Sequence, residues 1–118
     1  MKILVCGSRY YSDCKKIFDV INSLKEKYKD ITIIEGGAPG ADELAKKACM
    51  EIGIEVKEYK ADWKRYGRAA GPKRNQLMLD SENPGLVIAF HENIESSKGT
   101  KDMVRRATGA NIETIIYT

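Results

Sequence analysis

Ile31-Thr32-Ile33-Ile34-Glu35-Gly36-Gly37-Ala38-Pro39-Gly40-Ala41-Asp42 is the stretch on which the fold turns. A β-branched run, Ile31 to Glu35, reads as a strand. A glycine-rich turn follows, and Glu43 to Ile52 has helical periodicity, with Ala41, Leu44, Ala45, Ala48, Cys49 and Ile52 on one face. Strand, glycine turn and helix in that order let backbone approach a ligand where no Cβ intervenes. Amides at the helix start then suit an anion. Neither the strict G-x-G-x-x-G spacing nor the Walker pattern is present, so Gly36, Gly37 and Gly40 read equally as a tight structural turn.

The same unit recurs on either side. Lys2 to Cys6 is an apolar strand, then come Gly7-Ser8-Arg9, and Asp13 offers an N-cap to a helix with Ile17, Phe18, Val20, Ile21, Leu24 and Tyr28 inward. Gly53 ends the second helix, and Ile54 to Tyr59 forms a third strand. Lys60 to Ala70 reads as the longest irregular segment, closed by Gly71-Pro72 with proline at the first helical position. After the turn Asn83-Pro84-Gly85, Leu86 to Phe90 is apolar throughout and reads as a central strand. His91 to Lys98 is a polar loop. Gly99-Thr100 opens a last helix with Met103, Val104 and Ala107 inward, and Glu113 to Tyr117 is the fifth strand.

Alternation of this kind predicts one α/β domain over residues 1–118, a Rossmann-like three-layer α/β/α arrangement. Its five-stranded parallel sheet is expected in the order 3-2-1-4-5. The switch point between strands one and four brings the loops after strands one, two and four together.

The chain has 118 residues, a formal net charge of +3, 42% hydrophobic and 31% charged residues. Such a chain is expected to be soluble. It permits an anionic ligand without demanding nucleic acid. Cys6, Cys14 and Cys49 are odd in number and lack C-x-x-C spacing, which argues against a disulfide framework or zinc site and for reduced thiols in a cytoplasmic protein. No run is long enough to span a membrane, and Met1-Lys2 leads straight into a strand, so no membrane partner and no signal peptide are expected. No metal or cofactor is expected. His91 is the only histidine; at a strand's carboxyl end beside Glu92 it suits an acid/base, but a surface histidine is the commoner case and the one expected here.

Candidate ligand residues lie on the turns. Arg74, near the third position of its helix, opposes the helix dipole unless an anion binds there; the alternative is a solvent-facing arginine. Gly7, Ser8 and Arg9 face the same cleft. Thr100 is either an ordinary N-cap or, with Gly99, a phosphate donor. Asp42 and Glu43 would repel a phosphate, so the glycine turn suits a ribose. Trp63 and Tyr66, interleaved with Lys60, Lys64, Arg65 and Arg68, suit stacking on a base; Trp63 equally suits anchoring of the loop on the core.

Val5-Cys6-Gly7-Ser8-Arg9, Gly36-Gly37-Ala38-x-Gly40-Ala41-Asp42, Ala61-Asp62-Trp63 through Gly71-Pro72-x-Arg74-Asn75 and Lys98-Gly99-Thr100-x-Asp102-Met103-Val104 occur in that order. Together they resemble the YspA-like branch of the SLOG superfamily, whose members are often small bacterial or bacteriophage proteins. The resemblance implies a Rossmann-like fold with a nucleotide-ligand cleft, residence in a bacterial or infected cell, and allows a homodimer. It implies that Arg74, Asn75, Gly99 and Thr100 belong to the ligand site. The superfamily includes sensors of nucleotide-derived signals, Lonely Guy phosphoribohydrolases and the single-strand DNA binder DprA.

Against the Lonely Guy motif R-K-x-x-M, Arg74 and Met78 keep their spacing and Asn75 replaces lysine. Against P-G-G-x-G-T-x-x-E, Ser96 to Thr100 lacks the proline and first two glycines, and Met103 stands at the glutamate. The leading expectation is therefore a binder of a nucleoside phosphate or ADP-ribose-like ligand, as sensor or sequestering protein. A phosphoribohydrolase using Asp102 or Glu35 is the alternative, and single-stranded nucleic-acid binding through residues 57–74 the third.

Overall fold

The computed structural model describes all of residues 1–118. Five strands, β1 (Lys2–Gly7), β2 (Thr32–Glu35), β3 (Glu55–Glu58), β4 (Leu86–Phe90) and β5 (Glu113–Tyr117), form one parallel sheet in the order β3-β2-β1-β4-β5. Five helices connect or flank them: α1 (Cys14–Tyr28), α2 (Ala41–Ile52), α3 (Trp63–Tyr66), α4 (Ala70–Glu82) and α5 (Lys98–Gly109). The class, the three layers and the strand order are those the sequence predicts.

Strand alternation divides the core. Ile3 and Val5, Ile31 and Ile33, and Leu86, Ile88 and Phe90 pack under α1 and α2. Leu4, Ile34 and Val87 pack under α4 and α5 with Met78, Leu79, Met103 and Ala107. Every residue of β4 is buried, as its unbroken apolar run requires.

Three local expectations are corrected. The segment after β3 is not irregular: the Asp62 carboxylate accepts from Arg65 N at 3.1 Å and caps α3, which runs into a 3₁₀ turn at Gly67–Ala69. That turn feeds α4 directly, so α4 begins at Ala70 rather than Pro72, and Pro72 occupies its first turn, where no intrahelical N–H is lost. The cap of α5 is Ser97, whose hydroxyl accepts from Thr100 N at 3.2 Å; Thr100 is inside the helix.

At the last turn of α4, Glu82 is buried and accepts from the Tyr59 hydroxyl, with Lys57 Nζ at 3.2 Å and Lys2 Nζ at 3.1 Å on its other oxygen. These donors, the Tyr59 hydroxyl first, hold its carboxyl down at about 2. A carboxylate depressed in the folded state stabilises fully above its unfolded value, near 4.5, and that stability is lost as pH falls through about 2. Glu82→Gln should lower the unfolding free energy at pH 7 by about 1–3 kcal/mol. It should also flatten the fall in stability between these two pH values, measured by urea melts across the range.

Candidate functional site

Eight polar or charged residues are buried: Ser8, Glu35, Asp42, Asn75, Glu82, His91, Thr100 and Asp102. All but Glu82 lie at the carboxyl end of the sheet, at strand ends, in the loops after them, or in the first two turns of α2, α4 and α5. Burying polar groups is costly without partners, so their concentration at one end marks a built polar centre.

The floor is the end of β1, where Cys6 and Gly7 become partly exposed after three fully buried residues. A Cβ at Gly7 would collide with the Phe90 carbonyl oxygen and stand 2.6 Å from the Ala41 Cβ. One at Gly40, whose φ is +82°, would strike the backbone of Ser8 and Arg9. These two glycines therefore let β1, β4 and the start of α2 close on one another. The Ser8 amide donates to Phe90 O at 2.9 Å, and Ser8 O accepts from Ala41 N at 3.0 Å and Tyr11 N at 3.3 Å. The Ser8 hydroxyl accepts from Tyr10 N at 3.0 Å, which stiffens its own loop.

One wall is the β2–α2 turn. Glu35 is fully buried, and its Oε1 accepts from Gly37 N at 2.6 Å. Burial, above all, pushes its carboxyl up to about 8; the Gly37 amide opposes this, and Asp42 and Glu58 add to it. Asp42 Oδ2 accepts from Ala38 N at 3.2 Å, and burial raises this carboxyl to about 6 against the pull of the Ala38 amide and Arg74.

The opposite wall is α4 and α5. Arg74 Nη1 donates to Gly36 O at 2.7 Å and Arg74 Nε to Asn75 Oδ1 at 3.0 Å. Asn75 Nδ2 in turn donates to Asp102 Oδ2 at 3.0 Å and Gly99 O at 3.3 Å. Asp102 also accepts from Arg105 at 3.1 Å and Arg106 at 2.8 Å. Burial would raise its carboxyl, but these donors, Arg106 first, hold it below the usual range. Arg74 is thus not a free, solvent-facing arginine; it staples the glycine turn to α4.

Arg9 is exposed, with its guanidinium 5.8 Å from the centre of the exposed Tyr10 ring. Trp63 is 60% exposed and Tyr66 39%. Trp63 is not anchored in the core: its ring lies over Gly71, while Tyr66 has Arg65 and Lys73 each 5.0 Å from its ring centre. Neither aromatic joins the buried polar centre.

Sequence reasoning set His91 on the surface. It is buried at the end of β4, its Nδ1 accepting from Asn93 N at 2.9 Å. Its place immediately after the central strand, beside the switch point, was the available signal. A surface depression of about 520 Å³ lies elsewhere, between α1 and α2, lined by Phe18, Lys25, Lys29 and Glu51 among others. It is open to solvent and gathers no buried polar group, so the chemistry points to the carboxyl end of the sheet instead. No three His, Cys, Asp or Glu side chains are grouped to hold a metal ion. No helix is long and apolar enough to cross a membrane.

A family model described as YspA, cpYpsA-related SLOG family matches residues 1–66, the β1 to α3 half that carries both glycine turns. The chain belongs to this SLOG family. The Gene 61 protein of Mycobacterium phage D29 is 29% identical over a 122-residue alignment that spans 98% of this chain and 95% of the phage protein. The fold is also that of DNA processing protein A (DprA) from Streptococcus pneumoniae, with a TM-score of 0.75 at 19% identity. That match covers 98% of this SLOG chain and 49% of the DprA chain, so the chain spans about half the length of that structure.

The glycines differ in what they are for. No atom lies within 4 Å of a Cβ built at Gly99. Gly99→Ala should raise stability by about 0.4–1 kcal/mol. Gly7→Ala should lower it by about 1–3 kcal/mol. Urea midpoints of the two variants check the contrast.

Proposed function

We propose that this protein binds a nucleotide-derived ligand, a nucleoside phosphate or an ADP-ribose-like molecule, across the carboxyl ends of β1, β2 and β4. The observation that carries this reading is the gathering of seven of the eight buried polar residues at that edge. Membership of the SLOG family supports it. The unpaired Arg9 guanidinium would meet the phosphate from the β1–α1 loop. Ser97 already engages the Thr100 amide, so a phosphate at α5 would use the amides of Lys98 and Gly99, which have no intrahelical acceptor. The sugar would then lie toward Gly36, Gly37 and Asp42.

The phosphoribohydrolase reading draws less from the site. Asp102 is held ionised by three neighbouring side chains and makes a weak base with no proton to give, and Glu35, whose raised carboxyl would suit an acid or base, is fully buried and bonded to the Gly37 amide. Single-stranded nucleic acid has one observation in its favour: Trp63 and Tyr66 are exposed among Lys64, Arg65, Arg68 and Lys73, none of which forms an ion pair. The DprA-like fold is compatible with it.

Native mass spectrometry of the purified protein, followed by denaturing release, tests the leading reading; an intact nucleotide is the expected finding. Calorimetric titration with that nucleotide should then show Arg9→Ala weakening affinity by about 10- to 100-fold, the loss of one charge-assisted contact, with an unchanged melting temperature. Binding of an oligonucleotide that weakens steeply with salt and with Trp63→Ala, while mononucleotides leave the protein untouched, would replace this reading with the nucleic-acid one.

A further inference from the structure

Three consecutive residues of the β2–α2 turn are each held by one ionisable side chain. Gly36 O accepts from Arg74, the Gly37 amide donates to Glu35, and the Ala38 amide donates to Asp42. Beneath the turn, Glu35 Oε2 and Asp42 Oδ1 are inaccessible to solvent and have no hydrogen-bond partner. Each such oxygen leaves a desolvation cost unanswered.

We propose that this turn is a flap over a diol-binding subsite: it lifts as the ligand enters, and Glu35 and Asp42 then take the vicinal hydroxyls of a ribose. The proposal rests on the nucleotide-ligand reading above and names what the site selects. The unpaired oxygens have no accessible surface, so no ligand reaches them while the turn is down. What holds the turn over them is reversible: two amide–carboxyl contacts and one guanidinium–carbonyl contact.

The charge balance favours hydroxyls over other groups. The groups facing the pair are Glu58 from β3, Cys49 from α2, Cys6 from β1 and Arg74 from α4; Glu58 also has Lys46 at 3.5 Å and Lys60 at 3.9 Å. An entering cation would meet Arg74 beside Asp42, and a phosphate would meet the carboxylates. Burial raises both carboxyls toward their protonated forms, and a carboxyl accepts when ionised and donates when protonated. A hydroxyl is both donor and acceptor, and two adjacent hydroxyls answer both carboxyls.

The test titrates the full chain calorimetrically with the four ribonucleoside 5′-mono- and diphosphates and their 2′-deoxy counterparts. The expected result is a preference of tenfold or more for at least one ribose form over its deoxy partner. Asp42→Asn should bring the ribose form down toward the deoxy affinity. If that variant does not fold, the ribose-to-deoxy ratio of the unaltered protein decides alone. Equal affinities overturn the diol subsite and leave the nucleotide reading standing; no binding across the panel, with ADP-ribose added to it, overturns both. A structure of the complex should show the Arg74–Gly36 hydrogen bond broken, and an intact bond over bound ligand would overturn the flap.

Discussion

A guanidinium bonded to a peptide carbonyl ties together segments that are far apart in the chain. Arg74 holds Gly36, Asn75 holds Arg74, and the same amide reaches Gly99 and Asp102. Through these bonds the end of β2, the second turn of α4 and the start of α5 are joined along one edge. The sheet alone would not achieve this, because parallel strands fix only where the loops begin. Asn75 suits the position because its amide both accepts and donates. A lysine there, as in the Lonely Guy motif, could donate to Asp102 but could not accept from Arg74.

The polar edge also explains why the glycines divide as they do. Gly7 and Gly40 are spent on contacts of the chain with itself, since any Cβ would strike backbone. Ser8 and the start of α2 at Gly40–Ala41 are thereby held close to β4, whereas Gly36 to Ala38 are tied only by their three side-chain hydrogen bonds. The carboxyls of Glu35 and Asp42 keep oxygens that nothing in the free protein satisfies.

Period and punctuation made the fold legible. The apolar alternation in β1 and β2, the unbroken run of β4 and the helical stripes of α1, α2 and α5 each gave one element, and the strand order is the simplest Rossmann-like arrangement of them. Boundaries were harder. Asp62 and Ser97 cap helices through short-range hydrogen bonds that compete closely with the neighbouring signals at Pro72 and Thr100.

Which residue types crowd the site was legible as well, but not what each one touches. That Arg74 would turn inward to a carbonyl, and that His91 would be buried, depends on packing between α4, β4 and the turns. No local spacing encodes that.

The ionic knot around Glu82 lies at the opposite end of α4 from Arg74. Tyr59, Lys2 and Lys57 converge there on a carboxylate that touches none of the ligand-edge residues. One helix thus carries an ionic anchorage in its last turn and the Arg74–Asn75 hydrogen bonds in its second. Substitutions near Arg9, Trp63 or Gly99 leave the anchorage intact. Tyr59 joins the two ends, for its hydroxyl donates to Glu82 while its backbone amide donates to Glu35 O and its carbonyl lies 3.5 Å from Arg74 Nη1.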